Sequence, residues 1–306
     1  MNQPKTNAPG RTGTTRRTAH TLAAATAVAA ATLVATPATA AATITCGPGQ
    51  ELTGKLTGPV SVQAGATCTI DQAIITGDVT VGQDAKLTVD NSTIHGSLTM
   101  RPKTNVVVQK SAVRGPVADT YGTSLVLRGS RVNKSVSGVG RSSGRTDGTE
   151  PNDVPLELVV DRDSRIRGDV DLKGTKLTLS QAKVHGTVRS DWGHDSTINA
   201  SAIGSAVTIT NAYSSPVRMC GSRLYGDVTV AGAGQTSVFM GDGCSGNQFR
   251  RNLTVTDTFG TRFSGNLVLG TATGRATGTG PYKASGFGNT FKGERVGDFT
   301  NPALTS

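Results

Sequence analysis

The stretch ITGDVTV, residues 75–81, decides the fold, because its pattern returns along the chain at a nearly constant spacing. Its glycine, Gly77, lies two residues after one apolar residue and two before the next. The same position recurs every 19 residues at 58, 77, 96, 115 and 134, although the fifth copy carries a lysine there. Later copies lie at residues 166–172, 184–188, 203–209 and 224–230, and looser ones at 253–255 and 263–267.

Each repeat contains a second apolar alternation, such as Leu87-Thr88-Val89, and then a small residue. These small residues are Ala73, Ser92, Ser111, Ser130, Ser164, Ala182 and Ser222. Apolar residues at every second position indicate strands with one buried face. A single repeat cannot bury that face alone, but a stack of repeats can. We therefore predict an all-β, single-domain parallel β-helix (β-solenoid) of about ten coils over residues 41–270, with a repeat of about 19 residues.

The two ends of the chain depart from the repeat. Residues 1–40 combine four basic residues, an alanine-rich apolar run and a small-residue cleavage site, which is typical of a secretory signal peptide. The mature chain has no stretch apolar enough to span a membrane, so we expect a secreted, extracellular protein exported by either the Sec or the twin-arginine route. Residues 271–306 are expected to form a C-terminal cap or a flexible tail.

All four cysteines lie in the mature part, and an even number in an exported chain predicts two disulfides. Cys46 and Cys68 are 22 residues apart, and Cys220 and Cys244 are 24 residues apart. Each separation is about one coil, so the second cysteine of each pair is expected to lie above the first and to tie neighbouring coils together. The chain has no C-x-x-C motif, and we predict no metal site.

The repeat resembles the coils of secreted bacterial right-handed parallel β-helix proteins of the broad pectin-lyase-like class. The glycine-centred unit is also similar to the coil of bactofilin-type polymer-forming β-helices. The resemblance covers residues 51–270 and implies right-handed coils. It leaves open a polysaccharide lyase, with Ca²⁺ as cofactor, a glycoside hydrolase, or a self-assembling structural protein. The signature motifs of the lyases and hydrolases are not present in the chain.

Several cations are predicted to point outward from one face of the solenoid. Without the four basic residues of the signal peptide, the chain has 27 Lys and Arg residues and 21 Asp and Glu residues, which gives a net charge of +6. The alternation gives each coil two outward residues at this face, and the equivalent residues of the next coil lie beside them on the same face. The predicted ligand-binding cations of this face are Arg114, Arg165, Arg167, Lys183, His185 and Arg223. Stacked like charges repel, so this face could bind an acidic polymer, or it could be a solvated surface whose charge is screened.

An aromatic group is predicted at the corner between the two strands of a coil. The only tryptophan, Trp192, lies in SDWGHDS, residues 190–196, and the other candidates are Tyr121, Tyr213 and Phe259. Aromatic rings beside Asp and Asn suit stacking on sugar rings, although they could equally pack against neighbouring turns. One coil carries 15 extra residues, within 138–155, at the same corner.

We therefore predict a non-catalytic binding or structural module, without a catalytic residue and without a cofactor. The expected partner is an acidic or neutral polysaccharide or another cell-envelope polymer, and a nucleic acid is not expected. We expect a monomer. The lyase or hydrolase, with Ca²⁺ in the lyase, and the self-assembling surface protein remain the alternatives.

Overall fold

The alternating apolar residues that follow the glycine of each repeat form a strand. Each of these strands pairs in parallel with the equivalent strand of the next coil. Val79 pairs with Val60 on one side and with Leu98 on the other. The computed structural model describes residues 41–140, 156–212, 216–232, 237–275 and 284–305. The predicted signal peptide, residues 1–40, lies outside the described residues. In the described part, the parallel β-solenoid is confirmed.

The coil has three faces, which we call face 1, face 2 and face 3 in chain order. Face 1 is a sheet of 13 strands in the described part of the chain. Its strands are Ile44–Cys46, Val60–Val62, Val79–Val81, Leu98–Met100, Val117–Thr120, Val136–Val139, Val170–Lys173, Val188–Asp191, Val207–Thr210, Val228–Ala231, Leu253–Thr256, Ala272–Arg275 and Arg295–Gly297.

Faces 2 and 3 together form a second sheet of 21 strands in the described residues. The strands of face 2 are Gln50–Leu56, Thr67–Ile75, Lys86–Asp90, Asn105–Gln109, Ser124–Arg128, Leu156–Asp161, Thr175–Ser180, Asp195–Asn199, Val217–Cys220, Ser237–Met240 and Gly260–Phe263. The first two of these continue into face 3. The two-residue strands of face 3 are Thr93–Ile94, Ala112–Val113, Arg131–Val132, Arg165–Ile166, Lys183–Val184, Ala202–Ile203, Arg223–Leu224, Gln248–Phe249, Leu267–Val268 and Thr290–Phe291.

The solenoid has about twelve turns, against about ten expected from the repeat. At about 4.8 Å per coil it is roughly 60 Å long. The coils continue beyond residue 270, where the sequence no longer shows the pattern. Ala272–Arg275 pairs with Leu253–Thr256, and Arg295–Gly297 pairs with Ala272–Arg275. Two short 3-10 helices follow, Asp298–Thr300 and Pro302–Leu304.

The core is the inside of the coil, as the alternation predicts. On face 1, Val79 and Val81 are buried while Thr80 between them is partly exposed. The turns from face 3 to face 1 need glycine because the coils approach closely there. A Cβ on Gly96 would lie 2.5 Å from the carbonyl oxygen of Gly77, and one on Gly115 would lie 2.4 Å from that of Gly96. This contact explains why glycine marks the repeat.

A buried hydrogen-bonded ladder runs along the corner between faces 2 and 3. The backbone N–H of Ser92 donates to Oγ of Ser111 (3.0 Å), and the N–H of Ser111 donates to Oγ of Ser130 (3.2 Å). Each hydroxyl donates in turn to a carbonyl of its own coil, such as that of Asp90 from Ser92 (2.6 Å). The small residues that mark the repeat therefore satisfy buried backbone groups from one coil to the next.

Toward the C-terminus the ladder changes from serine to asparagine. The N–H of Ser222 donates to Oδ1 of Asn247 (3.1 Å), and the ladder continues through Asn266 and Asn289 at 2.9 Å per step. The longer amides also reach carbonyls of the coil below, such as that of Met219 from Asn247 (2.7 Å). These asparagines replace serine in the coils whose core contains phenylalanine.

Phenylalanines fill the core of these C-terminal coils. Phe249 and Phe263 stack with their ring centroids 6.0 Å apart, and Phe263 contacts Phe299 edge-on at 5.1 Å. Phe299 and Leu304 lie in the two 3-10 helices and are fully buried. The last helices therefore cover the end of the core.

Both predicted disulfides are present. Cys46 and Cys68 have Cα atoms 6.1 Å apart, and those of Cys220 and Cys244 are 5.9 Å apart. Cys46 ends the first strand of face 1, whereas Cys68 lies on face 2 beside Gln50 of the coil before it. The bridge thus links neighbouring coils at the N-terminal end.

Candidate functional site

Face 3 presents two parallel rows of outward side chains, which we call the basic rows. In the first row Arg131, Arg165 and Lys183 occupy consecutive coils in register. Ala202 interrupts this row, and Arg223 follows in the next coil. Neighbours in the row are about 4.8 Å apart along the axis. All four cationic side chains are exposed.

The second row lies two residues further along each coil. Its backbone N–H groups donate to the preceding coil, as from Arg167 to Val132 and from His185 to Ile166, both at 2.9 Å. Outward residues of this row are His95, Arg114, Asn133, Arg167, His185, Tyr225 and Arg250. The guanidinium of Arg250 lies over the ring of Tyr225, 5.0 Å from its centroid. The structure therefore brings the six cationic candidates together on one face.

Carboxylates do not neutralise the basic rows. In the described part of the chain, the ion pairs are Arg128–Asp161, Lys176–Glu157 and Arg262–Asp242, and none involves a residue of the rows. Asp78, Asp169 and Asp227 lie beside face 3, but each accepts a backbone N–H of the next coil. The donors are the N–H groups of Ser97 (2.6 Å), Thr187 (2.7 Å) and Asn252 (3.1 Å), respectively. Two like charges about 5 Å apart repel by about 0.8 kcal/mol even in bulk water.

The hydrogen bonds to two of these acids also lower the pKa of their carboxyl groups. Hydrogen bonds from the N–H and then the hydroxyl of Ser97 lower the pKa of Asp78 below its ordinary value. Those of Thr187 lower the pKa of Asp169 in the same way. Both carboxylates therefore stay ionised and stabilise the coil contact at neutral pH. That stabilisation is lost only when the pH falls through the lowered pKa.

The aromatic candidates share one corner but do not form a continuous row. Tyr121 and Trp192 occupy the same position with positive φ, and three coils separate them. Phe259 lies three further coils along, and it stands two residues past the equivalent position, which Asp257 occupies. Tyr213 lies outside the described residues. The structure therefore places Tyr121, Trp192 and Phe259 as separate rings, each about 14 Å from the next along the axis.

The polar residues of SDWGHDS maintain the corner. Asp191 accepts hydrogen bonds from Oγ1 of Thr210 (2.7 Å) and from Nδ2 of Asn211 (2.9 Å), both in the next coil. A Cβ on Gly193 would lie 2.8 Å from Oγ of Ser190, so this turn needs glycine. The described residues contain no group of three or more His, Cys, Asp or Glu side chains arranged to hold a metal ion.

A buried aspartate is a residue that the sequence reasoning did not single out. Asp119 occupies an inward position of face 1, between Met100 and Gly138 of the adjacent coils, and is 3% exposed. One of its oxygens accepts the N–H of Gly122 (2.7 Å), and the other has no hydrogen-bond partner in the described residues. Burial raises the pKa of Asp119 to about 6. The signal was available, since Asp119 places a charged residue at an inward position that Val81 and Met100 occupy in the two preceding coils.

The sequence places the insertion after Val136–Val139, the strand that pairs with the strand of Asp119. Val136–Val139 ends face 1 in its coil, and face 2 resumes at Leu156–Asp161. Residues 141–155 lie outside the described residues, so the insertion stays a sequence prediction. After it, Arg162 and Asp163 both have positive φ before the corner serine, Ser164, where other coils have one such residue. The corner of this coil is therefore one residue longer than the corners of its neighbours.

Comparisons with known proteins give no relative, since no family model, no curated protein and no solved structure matches the chain. The resemblance to the pectin-lyase-like and bactofilin-type coils therefore rests on the architecture alone. None of the helices described is long and apolar enough to cross a membrane.

Proposed function

We propose that this protein is an exported, non-catalytic β-solenoid that binds an anionic extracellular polymer, such as an acidic polysaccharide or another cell-envelope polymer, along face 3. The observation that carries the proposal is the register of Arg131, Arg165 and Lys183, three cations in consecutive coils without an ion-pair partner in the described residues. A polymer with regularly spaced negative charges would relieve their repulsion. A rigid scaffold holds these cations in place, so little ordering is needed on binding.

Two further features support an extracellular location and a binding role. Two disulfides tie the coils, and disulfides persist in oxidising compartments. The separate rings of Tyr121, Trp192 and Phe259 could add contacts to neutral sugars, because aromatic faces stack on sugar rings. In this proposal, the attraction between the basic rows and the anionic polymer contributes most of the binding free energy.

Retention on a panel of immobilised polymers tests the proposal. We expect the mature protein to be retained by polygalacturonate and by poly(glycerol phosphate), and to be released by rising salt, because exposed charge pairs are screened. Dextran serves as the neutral control. The same incubations, with and without Ca²⁺, are assayed for new reducing or unsaturated ends. Such products would establish the lyase or hydrolase alternative, and failure to bind any anionic polymer at low salt would refute the proposal.

A further inference from the structure

A groove of about 400 Å³ runs along the corner between faces 2 and 3, across four neighbouring coils. It lies over the serine ladder at Ser111 and Ser130. Two small residues leave the space open: Ala112 takes the place of Arg131 in the coil before, and Gly129 takes the place of Lys110 in the coil after. The groove is therefore a gap in two columns of side chains.

Cations line both walls of this groove. Arg131 and Arg165 stand one coil apart on the face 3 side. Lys110 lies on the opposite side, at the corner position, two residues before Ala112 in the same coil. Asp163 is the acid among the lining residues, and none of the ion pairs of the described chain involves the three cations. The groove thus combines a concave shape with an excess of positive charge.

The arrangement of these cations indicates the shape of the anion. A carboxylate has two acceptor oxygens in one plane, and a single guanidinium fork can engage both of them. Here two guanidinium-bearing residues and a lysine line one groove from two sides, so their donors suit an anion with more than two acceptor oxygens. A tetrahedral phosphate has that geometry, and Arg and Lys are the side chains that commonly bind it.

We propose that this groove binds a phosphate group of a phosphodiester-linked envelope polymer, through Lys110, Arg131 and Arg165. The inference rests on the proposed function of face 3 and makes it more specific. The amide of Asn91 and the hydroxyl of Thr93, which also line the groove, are available to the hydroxyl groups of the polymer. The rest of the chain would follow the basic rows along the axis.

Titration calorimetry with short oligomers of equal charge tests this site. The two probes are a phosphate trimer, which is a glycerol phosphate oligomer with three phosphodiester groups and glycerol at both ends, and tri-galacturonate; each carries three negative charges at neutral pH. The variants are Lys110→Ala/Arg131→Ala in the groove and, as a matched control, Lys86→Ala/Arg101→Ala, which also removes one exposed lysine and one exposed arginine but lies away from face 3 and outside the groove. We expect the phosphate trimer to bind more tightly than the galacturonate trimer. We further expect the groove variant to lose at least tenfold in affinity for it, and the control less than threefold. All the variants should keep the wild-type melting temperature, since the replaced side chains are exposed.

The other outcomes separate the groove from the basic rows. A preference for tri-galacturonate would overturn the phosphate site while leaving binding along face 3 intact. Equal losses in both variants would also overturn the site, because binding would then follow net charge. Binding of long anionic polymers without measurable binding of the phosphate trimer would overturn it as well. If neither trimers nor long polymers bind at low salt, both this inference and the proposed function fail.

Discussion

Replacing Asn266 by alanine is expected to lower the free energy of unfolding by about 4 kcal/mol, because Asn266 links three coils inside the core. Its Oδ1 accepts both the backbone N–H and the side-chain amide of Asn247, each at 2.9 Å. Its own amide donates to the carbonyls of Met240 (2.8 Å) and Ser264 (3.0 Å). Alanine would leave the N–H of Asn247 buried without an acceptor and would open a small cavity.

Urea unfolding at neutral pH, with disulfides intact, measures this loss. Asn252→Ala is the matched control, because Asn252 is an exposed asparagine that makes a comparable inter-coil bond to the N–H of Thr271 (3.0 Å). The control should lose less than about 1 kcal/mol, since water can replace an exposed hydrogen bond. Equal losses in the two variants would show that the buried ladder does not hold the C-terminal coils together.

Replacing Asp119 by asparagine is expected to stabilise the protein above pH 6 and to change little near pH 4. Burial raises the pKa of Asp119 from its ordinary value of 3.8 to about 6, so the folded protein holds this proton more tightly than the unfolded chain does. Stability therefore falls as the pH rises from about 4 to about 6, by up to about 3 kcal/mol, and this loss persists above pH 6. Asparagine keeps an acceptor for the N–H of Gly122 but carries no charge.

The difference in unfolding free energy between wild type and Asp119→Asn, measured from pH 4 to pH 8, isolates this residue from the other acids. Asp84→Asn is the control, because Asp84 is an exposed aspartate near the same edge of face 1. The stability of the Asp119 variant relative to wild type should increase with pH and reach a plateau above pH 6, whereas the stability of the control should follow that of the wild type. A difference that does not change with pH would contradict the prediction, because it would mean that folding leaves the pKa of Asp119 at its ordinary value.

The repeated core positions made the fold predictable. Val79, Val81 and Leu87 point inward as their alternation requires, and the cysteine spacings of about one coil gave the correct disulfides. The end of the solenoid was harder to read, because the ladder changes from serine to asparagine after Ser222 and the core residues change to phenylalanine. Spacing still indicated looser copies up to residue 267, but not the strands Ala272–Arg275 and Arg295–Gly297, which continue face 1 beyond residue 270.

Local detail at the corners depends on contacts that one sequence does not contain. Tyr121 and Trp192 do share a corner position, but Phe259 is offset by two residues, because the corners differ in length from coil to coil. Likewise Ala112 and Gly129 are ordinary residues until their neighbours in adjacent coils are known. Only the register shows that they leave a groove beside Lys110 and Arg131.

Salt dependence of polymer binding tests most directly the claim that the basic rows of face 3 bind an anionic polymer. The variant replaces Arg165, Arg167 and Lys183 by glutamine, and the control replaces Lys86, Arg101 and Lys103, exposed cations away from face 3, with the same change in net charge. In a plot of log affinity for poly(glycerol phosphate) against log salt concentration, the slope should become less negative by about two in the face 3 variant, at about 0.7 per lost contact. The control should keep the wild-type slope. Equal flattening in both variants would contradict the account, because binding would then follow net charge and not the basic rows.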